Sequence, residues 1–523
     1  MDRRHFLSAT AGALMAERAS VAQQNTAAGP SDCPATPCDP TPCEQLWAQK
    51  GNNASTVGTS VPNPITVLPA DFSPKKGSVG VRRLWSSIDP KKDSELLGDL
   101  HRGYCALRKM SPEDPRSLMR QTWMHDFYCS PNPKLRGDGA IDRGVHMNWT
   151  FLPWHRAFIY FHEKILASVL NKPDFRLPAW DWEKNTAIPQ FFLDLGLPTF
   201  LTGSFARNPD LGSTTEVNLC QVQAWFLNDA FVGTEKDCAA QSGVHEWVHV
   251  LTVGGAMRKP VTAAADPVFY AHHSNVDRFW TLFQQQSGTG SMPKELVEKW
   301  KSQWFYLHNE NADLVRVEVR QLLSTDDLGY RYETLPAIPD CHLVPFTLTA
   351  DALAAEVRRL AVGGLAAMNP GRPVAELGAR VLEFLRHPDL SAVVDKSCME
   401  GLPTRVAAEL PTAGLTAGAL YMVWLQGDDL YPIGSMGLFE NDDSLLHHTS
   451  MRVVFTGCID NKTFQMLLQS RGKNIRLVYG QSQDGKTPVG QVRPVPSPTL
   501  TILHPEGYYE KGKEILDRLP IPF

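Results

Sequence analysis

The 523-residue chain has no apolar run of the eighteen or so residues needed to cross a bilayer, so a helical span is not its organising element. It also lacks long runs of lysine or arginine. Fifty-one basic residues against 56 acidic ones give a net charge of -5, so there is no dominant basic surface for nucleic acid or an anionic membrane. Cysteine is sparse: ten residues are too few to act as a disulfide scaffold at this length. Three of them, Cys33, Cys38 and Cys43, lie in CPATPCDPTPC and are placed to tie down an N-terminal segment if the protein is exported. Their pairing is not readable. The remainder, 43 % hydrophobic and 20 % charged, is ordinary globular composition.

Residues 1–22 have Arg3 and Arg4 ahead of Phe6-Leu7, a modest Ala/Leu stretch, and Ser20-Val21-Ala22 as a cleavage site. That is the pattern of a twin-arginine export signal, which would place the protein in the periplasm or outside the cell. Residues 23–85 read as a Pro/Ala-rich linker and N-terminal segment. Residues 86–335 are mostly helical in pattern and carry the clustered histidines and tryptophans. Residues 336–405 are expected to form a helical connecting segment, with Leu, Val and Ala at helical spacing in ALAAEVRRLAVGGLAAM. Residues 406–523 change to short strands, LYMVWLQ, MRVVFTG, IRLVYGQ and TLTILH, separated by turn residues. An all-β sandwich or barrel domain is expected there.

VHEWVH contains His-Glu-x-x-His, the signature of a zinc peptidase when it lies on a helix. What should follow is missing. A further His does not occur at the spacing one zinc-peptidase class requires, and no Glu lies between Val250 and Lys294 for another. Asp266 or Asp277 remains as an acidic ligand, so this reading is weakened and not excluded. It also ignores a second histidine window, WMHDFYC with VHMNWTFLPWHRAFIYFHEKIL, which holds His125, His146 and His155. The peptidase-like window continues into DPVFYAHHSNVDRFW, adding His272 and His273 to His245 and His249.

Two metals, each held by three imidazoles, use both windows. Imidazole suits both oxidation states of copper, and two adjacent coppers can share one O₂, each supplying one electron. Six neutral histidines on facing helices are needed, and a four-helix bundle supplies such a core.

In these motifs, FLPWHR together with DPVFYAHHSNVDRFW above all, the chain resembles the type-3 copper proteins, in particular bacterial tyrosinases and the related plant polyphenol oxidases. The resemblance runs from about Trp85 to Glu333, where Tyr330 and Tyr332 match the family's Tyr-x-Tyr mark. It implies a mainly α catalytic core holding two coppers, with the β domain behind it. The first copper would take His125, His146 and His155, and the second His245, His249 and His273. Of the adjacent pair, spacing alone does not choose; the resemblance makes His273 the ligand and His272 its neighbour. Cys129 would form a thioether with His146, a packed thiol being the alternative. Asn275 and Asp277 would support the second-copper histidines, while Arg156, Glu163 and Trp180-Asp181-Trp182 read as helix-stabilising.

Three positions depart from the family. Gln241 stands where a water-holding Glu is common, and an amide cannot carry its charge. Glu246 follows the first ligand of the second copper where Asn is common, so it is a candidate for that missing charge, a salt-bridging or solvent-facing helix residue being the alternative. Pro260, with Val261, stands where plant enzymes often carry a bulky Phe over the second copper, which would open substrate access. The implied activity is ortho-hydroxylation of monophenols and oxidation of o-diphenols to o-quinones. Catechol oxidase and o-aminophenol oxidase are the near alternatives, a haemocyanin-like O₂ carrier and a zinc peptidase the distant ones. Implied partners are small phenols, with self-association and a copper-delivery protein as further expectations. The C-terminal domain would cover the site, with no residue identifiable as its plug.

Overall fold

The computed structural model describes residues 70–74, 78–339, 343–349 and 401–505, apart from 112, 130–143, 196–206, 208–216, 236, 427–428, 440–444, 446–448 and 461–475. The proposed export signal and the helical stretch after residue 350 lie outside the described residues.

The helical half comprises α1 (Ser94–Lys109), α2 (Leu118–Cys129), α3 (Phe151–Val169), α4 (Gln190–Leu195), α5 (Leu219–Phe226), α6 (Val244–Trp247), α7 (Pro260–Ala263), α8 (Val268–Ser287) and α9 (Lys294–Lys301). Pro153 sits in the first turn of α3, where its missing N–H is no loss. Sixteen of the nineteen α3 residues are buried, so its faces are covered on all sides and it forms the centre of the core. α8 packs along α3, and α7 packs on α2. α6 runs on as a π-helical turn, Val248–Val253, closed by Gly254 N–H donating to His249 O at 3.1 Å. Such turns are frequent at functional sites.

Short strands brace this half. β1 (Ala70–Asp71) pairs in parallel with β4 (Leu314–Glu318), which pairs antiparallel with β3 (Trp304–His308). β2 (Gly80–Arg82) pairs in parallel with β5 (Tyr330–Tyr332). Residues 70–74 and 78–85, expected to lie in a linker and N-terminal segment, therefore belong to the helical half. Strands of two and three residues are too short to show alternation, and their anchor is a long-range one. Arg82 is fully buried and donates to Glu163 of α3 at 2.8 Å.

The C-terminal half is one antiparallel eight-stranded sheet in the order β12-β11-β8-β9-β10-β7-β13-β6. Its members are β6 (Leu343–Thr349), β7 (Gly401–Pro411), β8 (Leu420–Gln426), β9 (Leu430–Gly437), β10 (Ser450–Asp460), β11 (Arg476–Ser482), β12 (Arg493–Pro494) and β13 (Thr499–Pro505). All four strands read from the sequence are present. Residues 343–349 and 401–405 were expected in a helical connector and are strand instead. LVPFTLT is short and β-branched, and it gains seven pairing positions along β13.

β8 explains why the sheet is no separate module. Leu420, Met422 and Trp424 point into the helical half's core, whereas Tyr421, Val423 and Leu425 point into the sheet's own core. Each fully buried apolar side chain contributes roughly 1.5–3 kcal/mol, so β8 alone ties the halves firmly. Close approach is permitted by glycine: a Cβ on Gly437 would lie 2.7 Å from Glu246 O, and one on Gly485 2.7 Å from the Trp247 ring. The sheet thus rests directly on α6. A disulfide, Cys220–Cys458, joins α5 to β10 as well.

Candidate metal centre

His125 on α2, His146 in the loop before α3 and His155 on α3 bring ligand nitrogens within 4.8 Å of one another, and His245, His249, His272 and His273 form a second such group. All are buried. The groups meet where His155 and His273 stack, ring centroids 4.3 Å apart and planes at 10°.

Four of these rings are oriented by backbone carbonyls, which can only accept. His125 Nδ1 donates to Pro260 O (2.7 Å), His155 Nδ1 to Phe151 O (2.8 Å), His245 Nδ1 to Gln241 O (2.5 Å) and His249 Nδ1 to Met257 O (2.9 Å). The proton on Nδ1 leaves the Nε2 lone pair bare in each neutral ring. His155 Nε2 and His245 Nε2 are buried without a partner among the described residues. Fixing one ring nitrogen through a carbonyl is how proteins orient metal-binding imidazoles.

The adjacent pair on α8 separates on the same logic. Trp182 Nε1 donates to His272 Nδ1 at 3.1 Å. Indole N–H is only a donor, so His272 Nδ1 is the bare nitrogen and its proton sits on Nε2. His273 Nε2 faces His249 Nε2 at 3.2 Å.

Burial holds every one of these rings neutral. Desolvation pushes His125 and His245 down to about 3, and His146, His155, His249, His272 and His273 well below the usual imidazole value. Neutral imidazole is the form that binds metal. The sign for stability follows: below pH about 6.5 the unfolded chain takes up protons that the folded metal-free chain refuses, so its stability falls as pH drops toward 3.

Two expected supports of the second group do other work. Asp277 accepts from Arg156 Nε, from Tyr330 OH at 2.7 Å and from Tyr332 OH, and lies 3.6 Å from Arg82. Asn275 Nδ2 donates to Glu183 at 2.9 Å and its Oδ1 accepts from Arg278 at 2.9 Å. Neither bonds a histidine; on α8 they face away, toward β2, β5 and the Trp180-Asp181-Trp182 segment. Removing one member of such a buried ion group leaves the others uncompensated, so Asp277→Ala is expected to cost about 3–5 kcal/mol in chemical denaturation of the metal-free protein.

Cys129 Sγ lies 3.9 Å from His146 Nε2 but also 3.5 Å from His125 Nδ1, so proximity alone does not select a thioether partner. Glu246 is buried, which removes the solvent-facing alternative. Pro260 was expected over the second copper; its carbonyl holds His125 of the first group, and Val261 beside it is half-buried. The residue that sequence reasoning missed is Phe439, just beyond β9. Its buried ring stands 4.1 Å from His249, 5.5 Å from His146 and 5.9 Å from His245, touching both groups. The only signal was YPIGSMGLFE, an aromatic behind two glycines.

Residues 115–231 and 202–286 match the common central domain of tyrosinase, and 298–339 match the polyphenol oxidase middle domain. The histidine-bearing region thus matches the tyrosinase/polyphenol oxidase family. This is a family of copper oxidoreductases, and both histidine groups fall within the matched residues. The chain is 30 % identical to the chloroplastic polyphenol oxidase of Spinacia oleracea over 290 residues, 46 % of this chain and 45 % of that one. It is 28 % identical to (+)-larreatricin hydroxylase of Larrea tridentata over 378 residues, 64 % and 62 % of the two chains. The chain thus spans about half the length of the curated relatives it matches; both are plant proteins, in line with the plant side of the resemblance and not the bacterial side. Latent apple tyrosinase (TM-score 0.50, 18 % identity, 83 % of this chain and 98 % of that one) and a latent aurone synthase (0.51, 18 %, 86 % and 91 %) share the fold.

Proposed function

We propose that the protein is a binuclear copper oxidase that hydroxylates small monophenols at the ortho position with O₂ and oxidises o-diphenols to o-quinones. One observation carries this reading: two adjoining groups of buried, neutral imidazoles, four with carbonyl-fixed Nδ1 protons, and no carboxylate in either group. His125, His146 and His155 would hold one copper, His245, His249 and His273 the other, in a bundle of α2, α3, α6 and α8. Bound copper would supply the two-electron exchange with O₂. The chain's own contribution is to keep six rings neutral and aimed, and to exclude water around them.

Glu246, buried beside His245, is assigned the charge that draws the phenol proton through water, which the Gln241 amide cannot supply. Cys129 is assigned a thioether to His146, testable as a loss of two hydrogens in the mass of the joined peptides. Residues 1–22 are assigned to export, testable by N-terminal sequencing of the secreted protein.

The deciding experiment loads the full chain with copper and measures metal per chain and O₂ uptake with tyramine and with catechol. Two coppers, with quinone formed from both substrates, is the expected result. Reversible O₂ binding with no phenol consumed would instead favour a carrier, and zinc-dependent peptide cleavage a peptidase. In the same assay Glu246→Gln is expected to lower tyramine hydroxylation more than catechol oxidation; equal rates to the parent on both substrates would remove its role.

A further inference from the structure

Of the six histidines, His146 alone has neither a helix beneath it nor a partner for Nδ1, which is buried and unbonded among the described residues. Its ring is placed by the loop backbone. That backbone is unusual at the next residue: Met147 has φ 56°, in the left-handed region that side chains other than glycine seldom adopt. On its other side Asn148 stitches the loop to itself, Nδ2 donating to Gly144 O (2.6 Å) and His146 O (2.8 Å), with Oδ1 accepting from Thr150 N–H (2.9 Å). Among the described residues a hydrogen bond from outside the loop reaches the strained residue: Met147 N–H donates to Gln241 Oε1. An N–H can only donate, so this bond also fixes which end of the amide is oxygen.

Gln241 is fully buried and works twice. Its side chain takes the amide next to His146 of the first group, and its backbone O accepts from His245 Nδ1 of the second, at 2.5 Å. Strained backbone persists only where the surroundings over-determine it. We infer that Gln241 is a positioning residue that clamps Met147 and so holds His146 in place, registering the first group of ligands against the second. The inference rests on the two-copper reading for its consequence, but the clamp itself is a property of the metal-free chain.

The test uses the full-length chain with two variants. Gln241→Met keeps the volume and loses the acceptor; Gln241→Glu keeps an acceptor. Hydrogen exchange at the Met147 amide, measured without metal, is expected to speed up about 10-fold or more in Gln241→Met and to stay near the parent rate in Gln241→Glu. On loading, Gln241→Met is expected to bind close to one copper per chain and Gln241→Glu to bind two. Unchanged Met147 exchange in Gln241→Met overturns the clamp. So does a Gln241→Met chain that fails to fold by circular dichroism, because the residue then supports the fold and not the loop. A parent chain that does not bind two coppers, with the exchange result as expected, fails the functional reading and leaves the clamp standing.

Discussion

Replacing His273 by alanine is expected to halve the bound copper and take phenol oxidation to background, whereas His272→Ala is expected to keep both coppers. The two residues are neighbours, equally buried, and within reach of the same nitrogens. What separates them is a proton. With Trp182 donating to His272 Nδ1, the neutral His272 ring carries hydrogen on Nε2 and offers no lone pair there. His273 has no such donor, and its Nε2 meets that of His249 at 3.2 Å. As an orienting neighbour, His272 should cost roughly 10–100-fold in copper affinity when removed, the range for groups outside the ligand set. Metal per chain after dialysis at saturating copper decides the matter: loss of a copper from His272→Ala with retention in His273→Ala would reverse the assignment.

The histidines were legible because imidazole chemistry is dense in two short windows, and a signal local in sequence survives without a structure. The strands of β8, β10, β11 and β13 were legible for the same reason. LYMVWLQ even shows why it is apolar throughout: its alternate residues enter two different cores. What stayed hidden depends on partners far along the chain. Asp277 was expected to serve histidines a few residues away; its hydroxyl partners are 53 and 55 residues distant, and the buried arginine beside it arrives on β2. β6 was taken for helix because the helical spacing that follows it extended over its residues, while the β13 partner that makes it a strand lies more than a hundred residues downstream. Nothing in the spacing of Gln241 and Met147 announced that they touch.

Phe439→Ala is expected to raise kcat/KM for a small catechol about 10-fold or more, the gain when a site open in a tenth of molecules or fewer becomes fully open. The ring lies against both histidine groups, 4.1 Å from His249 and 5.5 Å from His146, so on the two-copper reading it would stand in the way of an aromatic substrate; truncating a buried Phe should cost about 3–5 kcal/mol in stability. Cutting the chain between residues 350 and 400 is expected to leave activity unchanged, and the reason is topological. β6 lies before the cut and pairs with β13 after it; Cys220–Cys458 spans the cut; Leu420, Met422 and Trp424 remain in the helical core. The sheet therefore stays seated, and Phe439 with it. Non-reducing electrophoresis beside a catechol assay tests this: a cut chain that remains one disulfide-linked species and is nevertheless fully active would show that Phe439 does not obstruct the site.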